Sequence, residues 1–479
     1  MKEVKVYIMG LLKLLKLVIK ASVKNKLRGL GVTLSPLERT LLFNLNKVPD
    51  RVATILVAAN THPKFVDPSV SWIDLLDDVD KNVELTRKLY ERFPVDCITM
   101  LYWGGPLLSS GLHEMGVPFQ FTEWNYPTNT DNIIKVADDL DSIHPPEIEG
   151  YFETALQVLV KVQEELPDIL TGPFISSTFT LGCFLRSTEL LLEDLRYYQR
   201  FINAETESER RKIEDYCHTL GTYPTFFLDE MKTFGELVLK IVQRYREYGI
   251  DPTGTVFWEL YASPPSLDVD EFLEYVYPHI YDMYKTVQRY HPLGITYYPD
   301  TLERWKLLFD HAVSDKQYLP TISLPAAVTF PIDEQGDLDC NHHEMIRLCK
   351  EYNRPYAVAI LPYFLRDATK EEIYQKIKEI MEFSVQAQLP VMISPAALTN
   401  DTDPEKVDSF FQAVLDHGNY SQQPYRKLTK QQLKQCPVCH KPTQLSFEER
   451  RVFCPSCHYS AQFAGDEHMD YAVIIKANS

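Results

Sequence analysis

The sequence predicts an α/β chain built on a (β/α)8 TIM barrel with rim insertions, an N-terminal amphipathic helix before it and a C-terminal zinc ribbon after it. Three observations predict this. From residue 35 onward, eight short apolar runs alternate with longer segments of helical periodicity, and parallel strands joined by right-handed helical crossovers close naturally at eight pairs. No Gly-rich loop follows the first run, where an open nucleotide-binding sheet would place one. Two C-x-x-C knuckles stand close together near the end of the sequence.

The helix comes first. Val6 to Val23 is strongly apolar, but Lys13, Lys16, Lys20 and Lys24 interrupt it at helical spacing. An uncharged run of about 18 residues, which a membrane span needs, never occurs, and no small-residue cleavage site follows. Residues 1–34 therefore read as an amphipathic helix with a lysine stripe and a broad Leu/Val/Ile face. Packing across the barrel, pairing in a homodimer and peripheral contact with an anionic membrane surface all suit such a helix.

The barrel is expected over 35–420. Its strand candidates are Arg51–Asn60, Val95–Trp103, Ile169–Ser176, Thr255–Ala262, Gly294–Pro299, Leu319–Phe330, Pro355–Leu365 and Pro390–Pro395. Helices are expected at Ile73–Phe93, Leu181–Phe201, Glu271–Tyr290, Leu302–Val313, His342–Tyr352, Lys370–Gln386 and Glu405–His417. Two insertions, Gly104–Glu149 and Asn203–Gly249, interrupt the spacing and belong on the catalytic rim.

A linker over 421–435 leads to the ribbon, 436–479. Cys436, Cys439, Cys454 and Cys457 form two knuckles, and Thr443–Phe453 between them reads as a hairpin carrying the second. Four thiolates on two turns suit one tetrahedral zinc with no open position, a structural site rather than a catalytic one. His440 and His458 also complete C-x-x-C-H, the haem attachment pattern, which would require export. Cys97, Cys183, Cys217, Cys340 and Cys349 lie scattered in apolar segments, as in a reducing compartment, so a cytoplasmic location is expected. A net charge of −18 excludes nucleic-acid binding through bulk charge.

Thr171-Gly172-Pro173-Phe174, followed by a helix through Glu189–Leu195, resembles the G-P-F-T segment and following helix of the uroporphyrinogen decarboxylase superfamily. Ser35-Pro36-Leu37-Glu38-Arg39, Val48-Pro49-Asp50-Arg51, Asp138-Asp139-Leu140, Phe272–Pro278 and Pro404-Glu405-Lys406-Val407 extend the resemblance over roughly 35–420. It implies a barrel enzyme on the side of the corrinoid-dependent methyltransferases, passing a methyl group between a small substrate and a corrinoid on a partner protein. Two motifs depart from the superfamily. Ala58–Pro63 after the first strand contains no arginine to hold porphyrinogen carboxylates, so porphyrinogen decarboxylation is not expected. Thr296–Asp300 and Ser394–Ala397 stand where the zinc methyltransferases carry H-x-C and a further cysteine.

Chemistry in a barrel belongs at the C-terminal ends of the strands. The catalytic candidates there are Glu259, Asp300, Tyr298 and His62. Glu259 leads, because it sits in Val256-Phe257-Trp258-Glu259-Leu260, where a buried carboxylate must be paired, metal-bound or kept protonated. Trp103, Phe174, Trp258 and Tyr297 are the candidates to contact substrate or cofactor, with Trp124, Tyr126, Tyr261 and Tyr298 also at the rim. Such flat walls suit a methoxylated aromatic or the face of a corrinoid. Glu259, Asp300 and either His62 or Cys340 are candidate ligands for a second metal in the barrel; His342 and His343 open a helix behind an Asp339 cap. The alternative is a non-catalytic barrel that docks partners or a membrane.

Overall fold

The structure, a computed structural model, describes residues 15–27, 32–57, 61, 63–99, 102–123, 127–250, 255–263, 266–280, 294–296, 302–314, 342–360, 362–395, 398–399, 401–420, 427–429, 434–436, 439, 441–446, 451–457, 460–464 and 471–478. Its barrel strands are β1 (Ala53–Val57), β2 (Cys97–Thr99), β3 (Leu170–Gly172), β4 (Phe174–Ser176), β5 (Val256–Trp258), β6 (Gly294–Thr296), β7 (Tyr356–Ile360) and β8 (Val391–Pro395). They pair in parallel as β3-β2-β1-β8-β7 and as β4-β5-β6. The return of β8 onto β1, with Ala53 opposite Met392, is the ladder that closes a barrel. Pro173 divides the predicted third strand: it has no N–H to give a ladder, and the halves on either side of it pair with different neighbours. The expected strand Leu319–Phe330 lies outside the described residues.

The helices begin with α1, over residues 15–26, and α2 (Pro36–Asn44). Ser35 opens α2 with a capping box, its hydroxyl accepting from Glu38 N while the Glu38 carboxylate accepts from Ser35 N. α3 (Val79–Arg92) and α4 (Gly150–Glu165) cover the first strands. Leu181–Phe201, expected as one helix, is two: α5 (Thr178–Leu185) and α6 (Thr188–Ile202). Ser187 breaks them at φ 92°, and its hydroxyl accepts from Leu190 N to start α6. The second insertion supplies α7 (Glu207–Thr219) and α8 (Phe226–Glu247). Phe234 of α8 comes so near α5 that a Cβ on Gly182 would sit 2.5 Å from its ring, so this crossing requires glycine. α9 (Leu302–Ser314), α10 (His342–Glu351), α11 (Lys370–Ala387) and α12 (Pro404–His417) match their expected positions closely.

The lower end of the barrel, at the strand N-termini, is closed by α2. Leu37 N donates to Asp168 O and Thr40 Oγ1 to Asp96 O, tying the helix to the starts of β3 and β2. Beneath it lies a buried ion network. Arg39 binds Asp50 at 2.7 Å and also Asp96, while Arg51 binds Asp96 at 2.8 Å. Asp96 further accepts from Thr54 N at 2.9 Å. The resemblance motifs around Arg39 and Asp50 are thus the two halves of one structural clasp.

α1 lies against this end of the barrel. Only Ala21 is buried there, packed with Leu34 and Leu42, and Lys24 and Lys20 turn to Glu38 at 2.8 and 3.4 Å. Asn25 Nδ2 donates to Val48 O. The aliphatic row Leu15, Ile19, Val23 and Leu27 faces outward, each residue between 42 and 55% exposed. The buried Glu38 carboxylate decides the facing, because it needs cations that an aliphatic face cannot provide. No described helix is long and apolar enough to cross a membrane.

Beyond the barrel, β9 (Lys427–Thr429), β10 (Gln444–Ser446), β11 (Arg451–Phe453), β12 (Ser460–Ala464) and β13 (Tyr471–Asn478) make an antiparallel sheet in the order β9-β13-β12-β11-β10. The expected hairpin is present as β10 and β11, Leu445 opposite Val452. β9 arises inside the segment read as a linker. Cys436, Val452 and Cys454 belong to the same continuous apolar core as the barrel.

Candidate functional site

At the upper end of the barrel, β5 finishes at Trp258, whose carbonyl accepts from Ser177 N at 2.8 Å. That bond brings the first turn of α5 against the next residue, Glu259. The Glu259 carboxylate accepts from Thr180 N at 2.7 Å and Phe179 N at 3.3 Å, and the Ser177 and Thr180 side chains face it. The residue is fully buried, and no described ion pair includes it. Burial pushes its pKa up to about 7, against the lowering effect of these hydrogen bonds. A carboxyl that titrates there holds or releases a proton at neutral pH.

Aromatic rings stand beside it. Trp258 lies 6.2 Å from Phe174 and 6.2 Å from Phe184, and Tyr261 lies 5.8 Å from Trp258 and 5.2 Å from Phe184, edge to face in both pairs. Tyr261 N donates to Thr180 Oγ1, locking this turn to α5. Phe174, Trp258 and Tyr261 keep part of their surface exposed, so the cluster forms a wall rather than a sealed core.

The structure joins Glu259, Phe174 and Trp258 in this cluster. Trp103 lies apart from them, fully buried, with its indole N–H on Thr61 O at 2.9 Å and its backbone N–H on Asn82 Oδ1. His62, Trp124, Tyr126, Tyr297, Tyr298, Asp300, Asp339 and Cys340 lie outside the described residues. His342 and His343 form the start of α10, as expected. Phe184, Thr180 and Ser177 belong to the site without having been singled out from sequence; the signal for them was Ser176-Ser177, a cap-like pair before the apolar Thr178–Leu185.

Behind α5 lies a second acid cluster. Arg186 Nε binds Asp194 at 3.0 Å and approaches Glu230 at 3.4 Å, yet neither Glu230 oxygen accepts a hydrogen bond among the described residues. Burial pushes Asp194 up to about 6 and Glu230 well above the carboxylate range, with Asp194 adding to the latter. Cys183, between this pair and Glu259, is pushed up by burial and by both glutamates, so its thiol stays protonated and unreactive.

The four ribbon cysteines converge. All four Sγ atoms lie within 4.8 Å of one another, with Cys436–Cys457 and Cys439–Cys454 at 3.4 Å. Thiolates bound at about 2.3 Å to a tetrahedral zinc stand about 3.8 Å apart, so the donor set and spacing fit that ion. Burial opposes ionisation of Cys454, but the backbone N–H groups of Cys457 and Ser456 and the thiols of Cys439 and Cys457 bring it down to about 7. Burial lowers the pKa of Lys350, at the end of α10, and the neighbouring Cys457 and Cys436 only partly offset it. Among the described residues this is the one cluster of three or more potential metal ligands.

The family model described as uroporphyrinogen decarboxylase (URO-D) matches residues 36–417. A solved structure described as a methyltransferase from Methanosarcina mazei matches at a TM-score of 0.58 and 13% identity, covering 80% of this chain and 99% of that one. A B12-independent methionine synthase from Shewanella sp. W3-18-1, solved with selenomethionine, matches at a TM-score of 0.41 and 10% identity, covering 77% of this chain and 97% of that one. No curated protein sequence matches. At 13% identity the likeness to the first of these is one of fold, a TIM barrel.

Proposed function

The chain belongs to the uroporphyrinogen decarboxylase family, and from that premise we propose that it is a methyltransferase, moving a methyl group between a small methoxylated aromatic and a corrinoid held by a partner protein. One observation carries the reading: Glu259, unpaired by any described cation and titrating near neutrality, lies at the upper end of the barrel beside Phe174, Phe184, Trp258 and Tyr261. The absence of arginine from Ala58–Pro63 argues against porphyrinogen decarboxylation within the family.

The corrinoid supplies the methyl acceptor. The chain's own residues orient the substrate and handle its proton. The aromatic wall stacks the substrate ring and keeps water from its ether oxygen. As the methyl leaves, the C–O electron pair stays on that oxygen, and the protonated Glu259 carboxyl supplies the proton that makes it a neutral phenol. α5 holds the resulting carboxylate through Phe179 N–H and Thr180 N–H, at the positive end of its dipole. These bonds tie both Glu259 oxygens to α5. The ribbon cysteines hold a structural zinc in this reading.

A second reading, a non-catalytic barrel, draws on the same bonds, since they also make Glu259 a cap for α5. Glu259→Gln separates the two. With a methoxybenzoate and reduced cobalamin as probes, catalysis predicts kcat lower by about 10²–10⁴-fold and a native circular dichroism spectrum at pH 5. Wild-type protein inactive toward this probe pair, with a variant altered only in stability, leaves the cap reading standing. Metal analysis of the full chain should give one zinc per chain, lost on Cys454→Ser.

A further inference from the structure

α1 presents a surface that the barrel leaves uncovered. Leu15, Ile19, Val23 and Leu27 recur every four residues and stand about half exposed along one side of the helix. Lys16, Lys20 and Lys26 are exposed on the same arc, and the Lys20 side chain keeps 61% of its surface although it reaches Glu38. The exposed arc is thus aliphatic and cationic with no acid on it. The surrounding sequence is biased the same way: the first 28 residues carry eight Lys or Arg and one acid, Glu3, in a chain with 49 basic and 67 acidic residues.

We propose that this face docks on an anionic lipid surface. Leu, Ile and Val side chains would enter the headgroup–acyl boundary while the lysines extend to the lipid phosphates. A second copy is a poorer occupant, because two-fold packing of this face would set Lys16, Lys20 and Lys26 against the same lysines. The inward side of the helix is already fixed by Ala21, by Lys24 on Glu38 and by Asn25 on Val48 O, so docking requires no rearrangement. Because α1 and α2 lie at the lower end of the barrel, the Glu259 end would face away from the bilayer.

The test is cosedimentation of the full chain with vesicles of phosphatidylcholine alone and with about one-third phosphatidylserine. The expected result is sedimentation with the anionic vesicles only, declining as salt is raised. Lys16→Gln with Lys26→Gln should weaken partitioning about thirtyfold. Ile19→Ser with Val23→Ser, both at exposed positions, should abolish it while leaving the melting temperature unchanged. No sedimentation with anionic vesicles at low salt, or equal sedimentation with neutral ones, overturns the proposal. So does a wild-type dimer that the serine substitutions convert to monomer, which would make a second copy the occupant.

Discussion

The two ends of the barrel bury carboxylates in opposite ways. At the lower end every buried acid of the clasp meets a guanidinium: Asp50 with Arg39, Asp96 with Arg39 and Arg51. Asp50 is accordingly held below the usual carboxylate range, its bonds with Arg39 overcoming the cost of burial. At the upper end Glu259 has backbone N–H groups but no described ion-pair partner, and its pKa rises to about 7. Ion pairing with multiple hydrogen bonds fixes structure, whereas burial without a countercharge leaves a proton exchangeable. The difference teaches which end of the barrel is built to hold and which is able to react.

The largest expected effect comes from breaking the lower clasp. Asp96→Ala leaves Arg39 and Arg51 buried with a single remaining carboxylate and should cost about 3–5 kcal/mol, read as a lower urea midpoint. The two ends should next be separable by pH. Glu259 unfolded has an ordinary pKa of 4.5 but folded titrates near 7. Between these values the unfolded chain ionises first, so stability falls as pH rises, by on the order of 3 kcal/mol in all. Asp194 and Glu230 act in the same direction, both being raised. Asp50 has the opposite sign: its contribution is present above its unfolded value of 3.8 and is lost as pH falls below it. Urea midpoints across pH 3 to 8 should therefore pass through a maximum, and Glu259→Gln should flatten the neutral side while leaving the acid side intact. A smaller effect should follow Trp258→Ala, which removes three ring contacts, with Phe174, Phe184 and Tyr261, worth about 0.5–1.5 kcal/mol each at most; substrate KM should rise several-fold with little change at the lower end. Smallest of all, Lys24→Gln should shift the melting free energy by under about 1 kcal/mol, since its pair with Glu38 is partly solvated.

Much of the barrel was legible because strands with two buried faces and helices with one leave different periodicities. The lengths of α9 to α12 follow from that alone. The break between α5 and α6 was not legible, because Leu181–Leu185 and Thr188–Phe201 are each helical in pattern. What stops the helix between them is tertiary: Arg186 turns toward Asp194 and Glu230, and Ser187 takes a positive φ. The facing of α1 was left open by its own pattern for a similar reason, since the residue that sets it, Glu38, draws Lys20 and Lys24 inward from another helix. At the site, Glu259 announced itself as a charge in an apolar run. Its partners did not, because Phe179 lies 80 residues away and contributes a backbone N–H, which leaves no trace in residue type.

Pro173 has a mechanical consequence. Thr171 and Gly172 are bonded to β2, while Phe174 to Ser176 are bonded to β5, so the ladder changes partners at a residue that cannot donate. The barrel wall therefore has a seam on the third strand. One arc carries the lower clasp on β1 and β2, and the other carries Trp258 and Glu259 at the end of β5. Across the seam the mouth arc is tied back by side chains instead of ladder bonds, Ser109 Oγ donating to Phe174 O at 3.0 Å and Ser176 N to Ser110 Oγ at 2.9 Å, so two serines that follow β2 carry the continuity that the proline interrupts.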